Sequence, residues 1–274
     1  MVRVIQISDT HLSLSKAHFA ENWGPLVDWV RAQSPDLVVH TGDVTVDGAD
    51  DEEDMRYCAI RLAELGAPVV CIPGNHDVGQ AQSPVQPVDG ARIARWRRHF
   101  GPDYWAHDIE GWRLFGLDSL LFGSSEPEEQ AQFAWLERTL ADAAGRRLAW
   151  FLHQPLFLET PSEGETGYWG VKPVPRARLL DLAARYEVAL IASGHLHRSH
   201  DRYVNGIRFV WGPSSAFVVG PTLQEDMPGE KRLGAVAYSF GLDGFTAEIV
   251  EIEGLRRLLI DDVVHEVYPP RGAA

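Results

Sequence analysis

A chain of 274 residues with 45% hydrophobic and 23% charged side chains, among them nine tryptophans, has the composition of a folded globular protein with a large core. None of its apolar runs approaches the roughly eighteen residues needed to span a bilayer, so no membrane span is expected. The net charge of −14 argues against general nucleic-acid binding, which relies on a basic surface to neutralise phosphates.

The amino terminus, MVRVIQISDTH, opens with one arginine and a strand-like run over 2–8, and lacks the layout of a signal peptide. A helical pattern from Pro25 to Gln33, carrying Leu26, Val27, Trp29 and Val30, leads to a second apolar strand at 36–40. The acidic run Asp50 to Asp54 suits the positive end of a helix dipole and opens a helix over 51–65 with Met55, Ile60, Leu62 and Leu65. A third strand at 67–72 completes a βαβαβ pattern. All three strands are continuously apolar, as in a parallel sheet covered on both faces. Residues 91–100, ARIARWRRHF, predict a basic helix with Ile93 and Trp96 inward and Arg92, Arg95, Arg97 and Arg98 solvated. Next come a hairpin around Gly111, a helix over 127–143, a strand at 147–154, a loop over 157–175, a helix over 176–186 and a strand at 188–195.

From Arg202 onward, alternating segments and the Asn205-Gly206 turn predict an antiparallel set. The parallel runs and this antiparallel tail are expected to pack as two sheets with helices outside, in one domain covering 1–274. In that reading the tail 198–274 completes the second sheet, and the stretch from Arg232 to Tyr268 is apolar enough to contact another subunit in a homo-oligomer. Cys58 and Cys71 lie in apolar segments and read as core thiols rather than a disulfide framework, which fits a cytoplasmic location.

Five strands end in polar chemistry: Asp9-Thr10-His11, Gly42-Asp43, Gly74-Asn75-His76-Asp77, His153, and Gly194-His195-Leu196-His197. Taken singly, each has an ordinary explanation as a cap, a turn or a hydrogen-bonded core histidine. Together they fall where the carboxyl ends of strands in an open α/β sheet form one crevice. In extended chain, residues i and i+2 point the same way, so Asp9 with His11 and His195 with His197 can each aim two donors into one pocket. Glycines 42, 74 and 194 permit tight turns and close backbone approach. Carboxylate, imidazole and amide oxygen suit zinc, manganese or iron better than calcium or magnesium. Seven such donors are too many for one ion and fit two ions sharing a bridging carboxylate. His18, His40, His99, His107, His200 and His265 fall outside the pattern and are given structural or surface roles.

As an ordered set over residues 9–197, these motifs resemble those of the calcineurin-like metallophosphoesterases. Asp77 after Gly-Asn-His, and Leu117-Asp118-Ser119, are similar to the class III cyclic-nucleotide phosphodiesterase branch. The resemblance implies an α/β fold, a four-layer αββα sandwich of two mixed β-sheets flanked by helices. It also implies a dinuclear centre: Asp9, His11 and His197 on one ion, Asn75, His153 and His195 on the other, Asp43 bridging. The ions would be divalent or mixed-valence manganese, iron, zinc or cobalt, with iron and manganese foremost. Protein Ser/Thr phosphatases of the family carry Asp-Arg-Gly shortly after Gly-Asp, whereas Val-Thr-Val-Asp-Gly follows Asp43 here. Relatives often carry two adjacent histidines at the fourth motif; Gln154 stands in the second place, leaving His153 the candidate ligand.

The expected activity is metal-dependent hydrolysis of a phosphodiester, with hydroxide from a shared water as nucleophile. His76 is the candidate to hydrogen-bond the phosphoryl oxygen or protonate the leaving alkoxide, and Asp77 the candidate to orient it. A 3',5'-cyclic nucleotide is the first substrate expectation, with glycerophosphodiesters, other diesters or phosphomonoesters as alternatives. A nuclease finds no evident basic groove, and a metal-binding interaction scaffold is disfavoured because all seven ligand positions are filled. Tyr168 and Trp169, in the 157–175 loop, are candidates to stack a base or wall off bulky esters, and Arg198 to reach a substrate oxygen.

Overall fold

The computed structural model describes residues 1–81 and 83–268. Val2–Ile7 (β1), Leu37–His40 (β2) and Val69–Cys71 (β3) run parallel, joined by helices Trp23–Gln33 (α1) and Glu52–Leu62 (α2). Asp51 caps α2, its carboxylate accepting from the Glu53 amide at 2.9 Å, which gives the acidic run its local purpose. The one-turn helix Asn75–Val78 (α3) follows β3, and Asp89 caps Gly90–Phe100 (α4). Trp105–Ile109 (β4) and Trp112–Leu117 (β5) form the expected hairpin. Pro127–Ala141 (α5), Arg147–Leu152 (β6), Pro173–Arg185 (α6) and Leu190–Ser193 (β7) alternate after it. His200–Val204 (β8), Ile207–Trp211 (β9), Gly234–Gly241 (β10), Gly244–Glu251 (β11) and the short helix Val264–Val267 (α7) make up the tail.

Two mixed sheets result, with orders β11-β10-β1-β2-β3 and β4-β5-β6-β7-β9-β8. Two mixed sheets are what the resemblance implies, but the expectation that the tail 198–274 completes the second sheet is corrected. The parallel runs are shared, β1 to β3 in one sheet and β5, β6, β7 and β9 in the other. The tail is shared as well: β8 and β9 extend the second sheet, while the β10–β11 hairpin adds to the first, antiparallel to β1. Paired with β2 on one side, β1 would be an edge strand without β10, which takes up the row of backbone groups on its other side.

Alternation along the strands sorts the core into three slabs. Ile5, Ile7 and Val38 face α1, α2 and α4 through Leu26, Val30, Met55, Ile93 and Trp96. Val4, Val39, Phe151, Ala192, Val236 and Tyr238 fill the space between the sheets. Phe115, Leu117, Trp150 and Leu152 face α5 and α6 through Phe133, Leu136, Leu179 and Leu182. Four layers, αββα, follow from period-two strands that are apolar on both faces. Cys58 and Cys71 are buried free thiols. The α4 arginines are taken up locally: Arg92 by Asp50 and Asp89, Arg97 by Asp103, Arg98 by Glu52. Among the described residues no helix is long and apolar enough to cross a membrane.

One polar side chain crosses the inter-sheet slab directly beneath the strand ends. Gln6 donates to the Thr41 hydroxyl and the Ser193 carbonyl, both at 3.0 Å, and accepts from the Tyr238 hydroxyl at 2.7 Å. Gln6 and Tyr238 lie in the first sheet and Ser193 in the second, so this clasp sets the sheets against each other below the site. Replacing Tyr238 by Phe leaves the Gln6 oxygen buried without its donor. The expected cost is about 1–3 kcal/mol of stability, read as a lower urea midpoint at unchanged m-value.

Candidate metal centre

β1, β2, β3, β6 and β7 all end on one side of the sandwich, and the first donor residue comes within four positions of each end. The chain turns sharply there. Asp9, His11, Asp43, His195 and His197 have φ of +53°, +43°, +52°, +68° and +52°, in the left-handed region. The side chains converge through these turns and not through an extended i, i+2 alternation, which corrects the geometric reading of the spacing. Aspartate and histidine tolerate this region better than most residues, though it still costs energy. Backbone bonds between turns fix it: Asp9 N–H donates to the Gly42 carbonyl at 3.0 Å, His11 N–H to Asp43 at 3.1 Å, Gly194 N–H to His153 at 3.0 Å.

The buried donors fall into three overlapping groups, Asp9 with His11 and His197, Asp43 with His153 and His195, and His11 with Asp43 and His76. Asp43 Oδ2 lies between His153 Nε2 at 3.4 Å and His11 Nε2 at 3.7 Å, while its Oδ1 accepts from the His76 amide at 2.8 Å. Asp9 Oδ2 accepts from Ser8 Oγ at 2.5 Å and His195 N–H at 3.0 Å, leaving Oδ1 without a hydrogen bond 3.3 Å from His197 Nε2. Asn75 Oδ1 is 3.2 Å from His153 Nε2.

The outward ring nitrogens settle which atoms face the centre. His153 Nδ1 donates to the Thr41 carbonyl at 2.8 Å, His197 Nδ1 to Phe217 at 2.9 Å, and His195 Nε2 to Tyr168 at 3.0 Å. In each neutral ring the inner nitrogen therefore carries a lone pair. His153 Nε2 then faces His195 Nδ1 at 3.1 Å, and His11 Nε2 faces His197 Nε2 at 3.3 Å. Between His153 and His195 lone pair meets lone pair, in a buried space already holding two carboxylates. A cation held between them relieves this, and the imidazole, carboxylate and amide set fits transition-metal ions.

The titration behaviour points the same way. Burial works to lower the pKa of His153, yet the charge and hydrogen bond of Asp43, then Asp9, raise it to about 9. Without a cation the centre draws in a proton. Burial and then the neighbouring His153 push His195 down to about 3. Burial works to raise Asp9 and Asp43, but the surrounding histidines hold both below the usual carboxylate range.

The remaining expected site residues take different places. His76 lies beside the ligands: its Nδ1 bonds the Val46 carbonyl at 2.7 Å, and its Nε2 is buried without a hydrogen-bond partner 4.7 Å, ring to ring, from His11. Asp77 does not orient that ring, a correction to the expected role. Its carboxylate accepts from the amides of Gly74 at 2.8 Å, Val44 at 3.2 Å and Thr45 at 2.9 Å, and from the Thr45 hydroxyl at 2.8 Å. It thus ties the Asp43 turn to the Asn75 turn. Burial, then the Asp43 charge, raises its pKa to about 7 against those donors. Arg198 is likewise corrected: its guanidinium donates to Gln224 and Gly229, holding the 224–229 loop, and its donors are used there.

Tyr168 and Trp169 do reach the centre, their rings 4.9 Å and 5.9 Å from His195. Two residues missed in the sequence join them. Tyr268 packs its ring 4.6 Å from His76, and Gln154, read as a lost histidine, donates to the Tyr168 carbonyl at 3.0 Å. Tyr268 is carried there by the tail, which docks Ile260 and Val267 on Phe19, Val46 and Phe217. No local pattern marked it.

A four-layer αββα sandwich with Asp and His clusters at converging strand ends defines a metallophosphoesterase. The match to the calcineurin-like phosphoesterase family spans residues 2–199, and the chain belongs to that family. It is 32% identical over 251 residues to 3',5'-cyclic adenosine monophosphate phosphodiesterase CpdA of Escherichia coli (strain K12), covering 85% of this chain and 84% of that protein. It is 29% identical to a probable glycerophosphodiester phosphodiesterase GpdQ of Arcobacter nitrofigilis, covering 83% of each. A dimetal phosphatase from Danio rerio superposes with a TM-score of 0.55 at 14% identity, over 90% of this chain and 98% of that one. The protein is a phosphoric ester hydrolase, and its family implies divalent metal ions.

Gly74 supplies a direct test of the geometry. A Cβ built there falls 2.3 Å from the Asp43 amide nitrogen and 2.2 Å from its carboxylate. Because a backbone atom is in the way, Gly74→Ala has to displace the Asp43 turn. Expected are a stability loss of about 1–3 kcal/mol in thermal or urea unfolding and reduced metal content by elemental analysis.

Proposed function

We propose that the protein hydrolyses small phosphodiesters, 3',5'-cyclic nucleotides first among them, through two metal ions. The observation that carries this reading is the convergence of seven donors, with the His153 and His195 lone pairs facing one another at 3.1 Å. Asp9, His11 and His197 would hold one ion, Asn75, His153 and His195 the other, and Asp43 both. Such a pair, when bound, supplies positive charge for the phosphoryl oxygens and makes water acidic enough to serve as nucleophile near neutral pH.

His76 handles the proton. Its Nδ1 is committed to Val46, so Nε2 is the atom free to exchange a proton at the centre. In the overall hydrolysis a water oxygen joins phosphorus, the ester P–O bond breaks, and the leaving alkoxide takes up a proton, which Nε2 of a protonated His76 can deliver. Tyr168, Trp169 and Tyr268 form the aromatic wall beside which a base or similar group would lie.

Substrate size is read from the neighbouring surface. A cleft of about 430 Å³ between residues 158–169 and 223–228 is lined by Glu159, Glu163, Glu165, Glu225 and Asp226 along with Trp169, with no basic side chain among the described lining residues. A polyanion would be repelled along that rim, while a singly charged diester meets the proposed ions first. The similarity to CpdA supports a cyclic nucleotide, and that to GpdQ favours a glycerophosphodiester as the second reading.

His76→Ala is expected to retain metal and lose about 10²- to 10⁴-fold in kcat; an unchanged kcat at full metal content removes the assigned role. Asp43→Ala is expected to lose both ions, and two retained ions contradict the bridge. Cyclic AMP, cyclic GMP, glycerophosphodiesters and phosphomonoesters should be compared on protein of measured metal content. The highest kcat/KM is expected for a cyclic nucleotide, and failure of two-metal protein to cleave any diester overturns the reading.

A further inference from the structure

We infer that Tyr168 is a positioning residue for the second donor group, fixing which atoms of Asn75 and His195 face the ion. The inference rests on the two-ion reading above and adds what orients one half of it. The Tyr168 carbonyl oxygen receives three donors: His195 Nε2 at 3.0 Å, Gln154 Nε2 at 3.0 Å and Gln80 Nε2 at 3.1 Å. A carbonyl only accepts, so the hydrogen of His195 sits on Nε2 and its Nδ1 lone pair is turned to the centre. The Tyr168 hydroxyl takes Asn75 Nδ2 at 3.0 Å.

Orientation matters most at Asn75. Its amide has an oxygen and a nitrogen of nearly equal size, so shape alone does not choose which faces inward. With the nitrogen committed to the phenol, the oxygen faces His153 Nε2 at 3.2 Å, where a cation would find it. Reversed, the amide would present two hydrogens to the cation. One residue of the 157–175 loop thus sets two of the donors, through its side chain for Asn75 and its backbone for His195. The glutamines explain how the loop is held: Gln80 follows α3, Gln154 follows His153, and both converge on the same oxygen as the ligand histidine.

Tyr168→Phe, Asn75→Asp and the double variant, each as the full chain stripped of metal, should be titrated with Mn²⁺ by equilibrium dialysis, with thermal melting alongside. The unaltered protein is expected to take up two ions. In Tyr168→Phe one ion should bind as before and the other about 10- to 100-fold more weakly, as when an outer partner of a ligand is lost. An aspartate at 75 offers oxygen on either side and needs no orienting. In that background the Tyr168 substitution should therefore change affinity by no more than about twofold. Wild-type affinity for both ions in Tyr168→Phe overturns the positioning role. So does an equal loss in both backgrounds, which would assign the effect to a loosened loop. If the unaltered protein binds fewer than two ions, the two-ion reading itself fails, and that result is seen without any variant.

Discussion

Buried lone pairs facing one another, beside two buried carboxylates, are the interaction on which the rest of this structure depends. Burying a polar atom without a partner costs several kcal/mol in an apolar medium, and here Asp9 Oδ1 and His76 Nε2 are buried without one, beside inner ring nitrogens crowded against each other. A proton on His153 satisfies part of this demand, which is why its pKa stands near 9 against the pull of burial. A single proton cannot serve two groups of donors, however. The arrangement is one in which positive charge from outside the chain completes the fold at this end.

Delivering the donors has its own cost. Five of them occupy left-handed backbone, at about 1–2 kcal/mol each for an ordinary residue, a sum comparable with the whole stability of a typical domain. The strain is borne by bonds running between turns instead of along strands. Asp77 is the clearest case, four donors from two loops gathered on one carboxylate. Gln6 and Tyr238 do similar work one layer below, where a shift of one sheet against the other would separate Asp9 and Asp43 from His153 and His195. Glycines 42, 74 and 194 are needed because the neighbouring turn, or a side chain of the centre, occupies the place a Cβ would take.

Much of this was legible in the sequence because strands and ligands repeat one theme: an apolar run, then a glycine or aspartate, then a donor. Helix positions followed from the spacing of Leu26, Val30, Met55, Ile93 and Trp96 and from the acidic run Asp50 to Asp54 at the start of α2. Sheet membership was not legible, since β10 pairs with β1 across more than two hundred residues and alternation within β10 does not name its partner. Asp77 was misread for a related reason. Adjacency to His76 suggested a partner, but a one-turn helix points consecutive side chains apart, and its true partners lie on the Asp43 loop. Arg198 adjoins a ligand and turns away from the centre in the same manner.

The charge of the molecule and the charge of the centre then play opposite parts. With a net −14 and an acidic cleft beside Trp169, the surface disfavours anions, and in the proposed reading the ions of the centre would attract one. Counting two divalent ions against the carboxylates of Asp9 and Asp43 leaves about two positive charges there. A long phosphate chain would gain that attraction at one phosphate and face the acidic rim with every other. A small diester carries one charge and meets the rim only in passing. On the proposed two-ion reading, discrimination by length would follow from the contrast between centre and surface, with no pocket needed to measure the substrate.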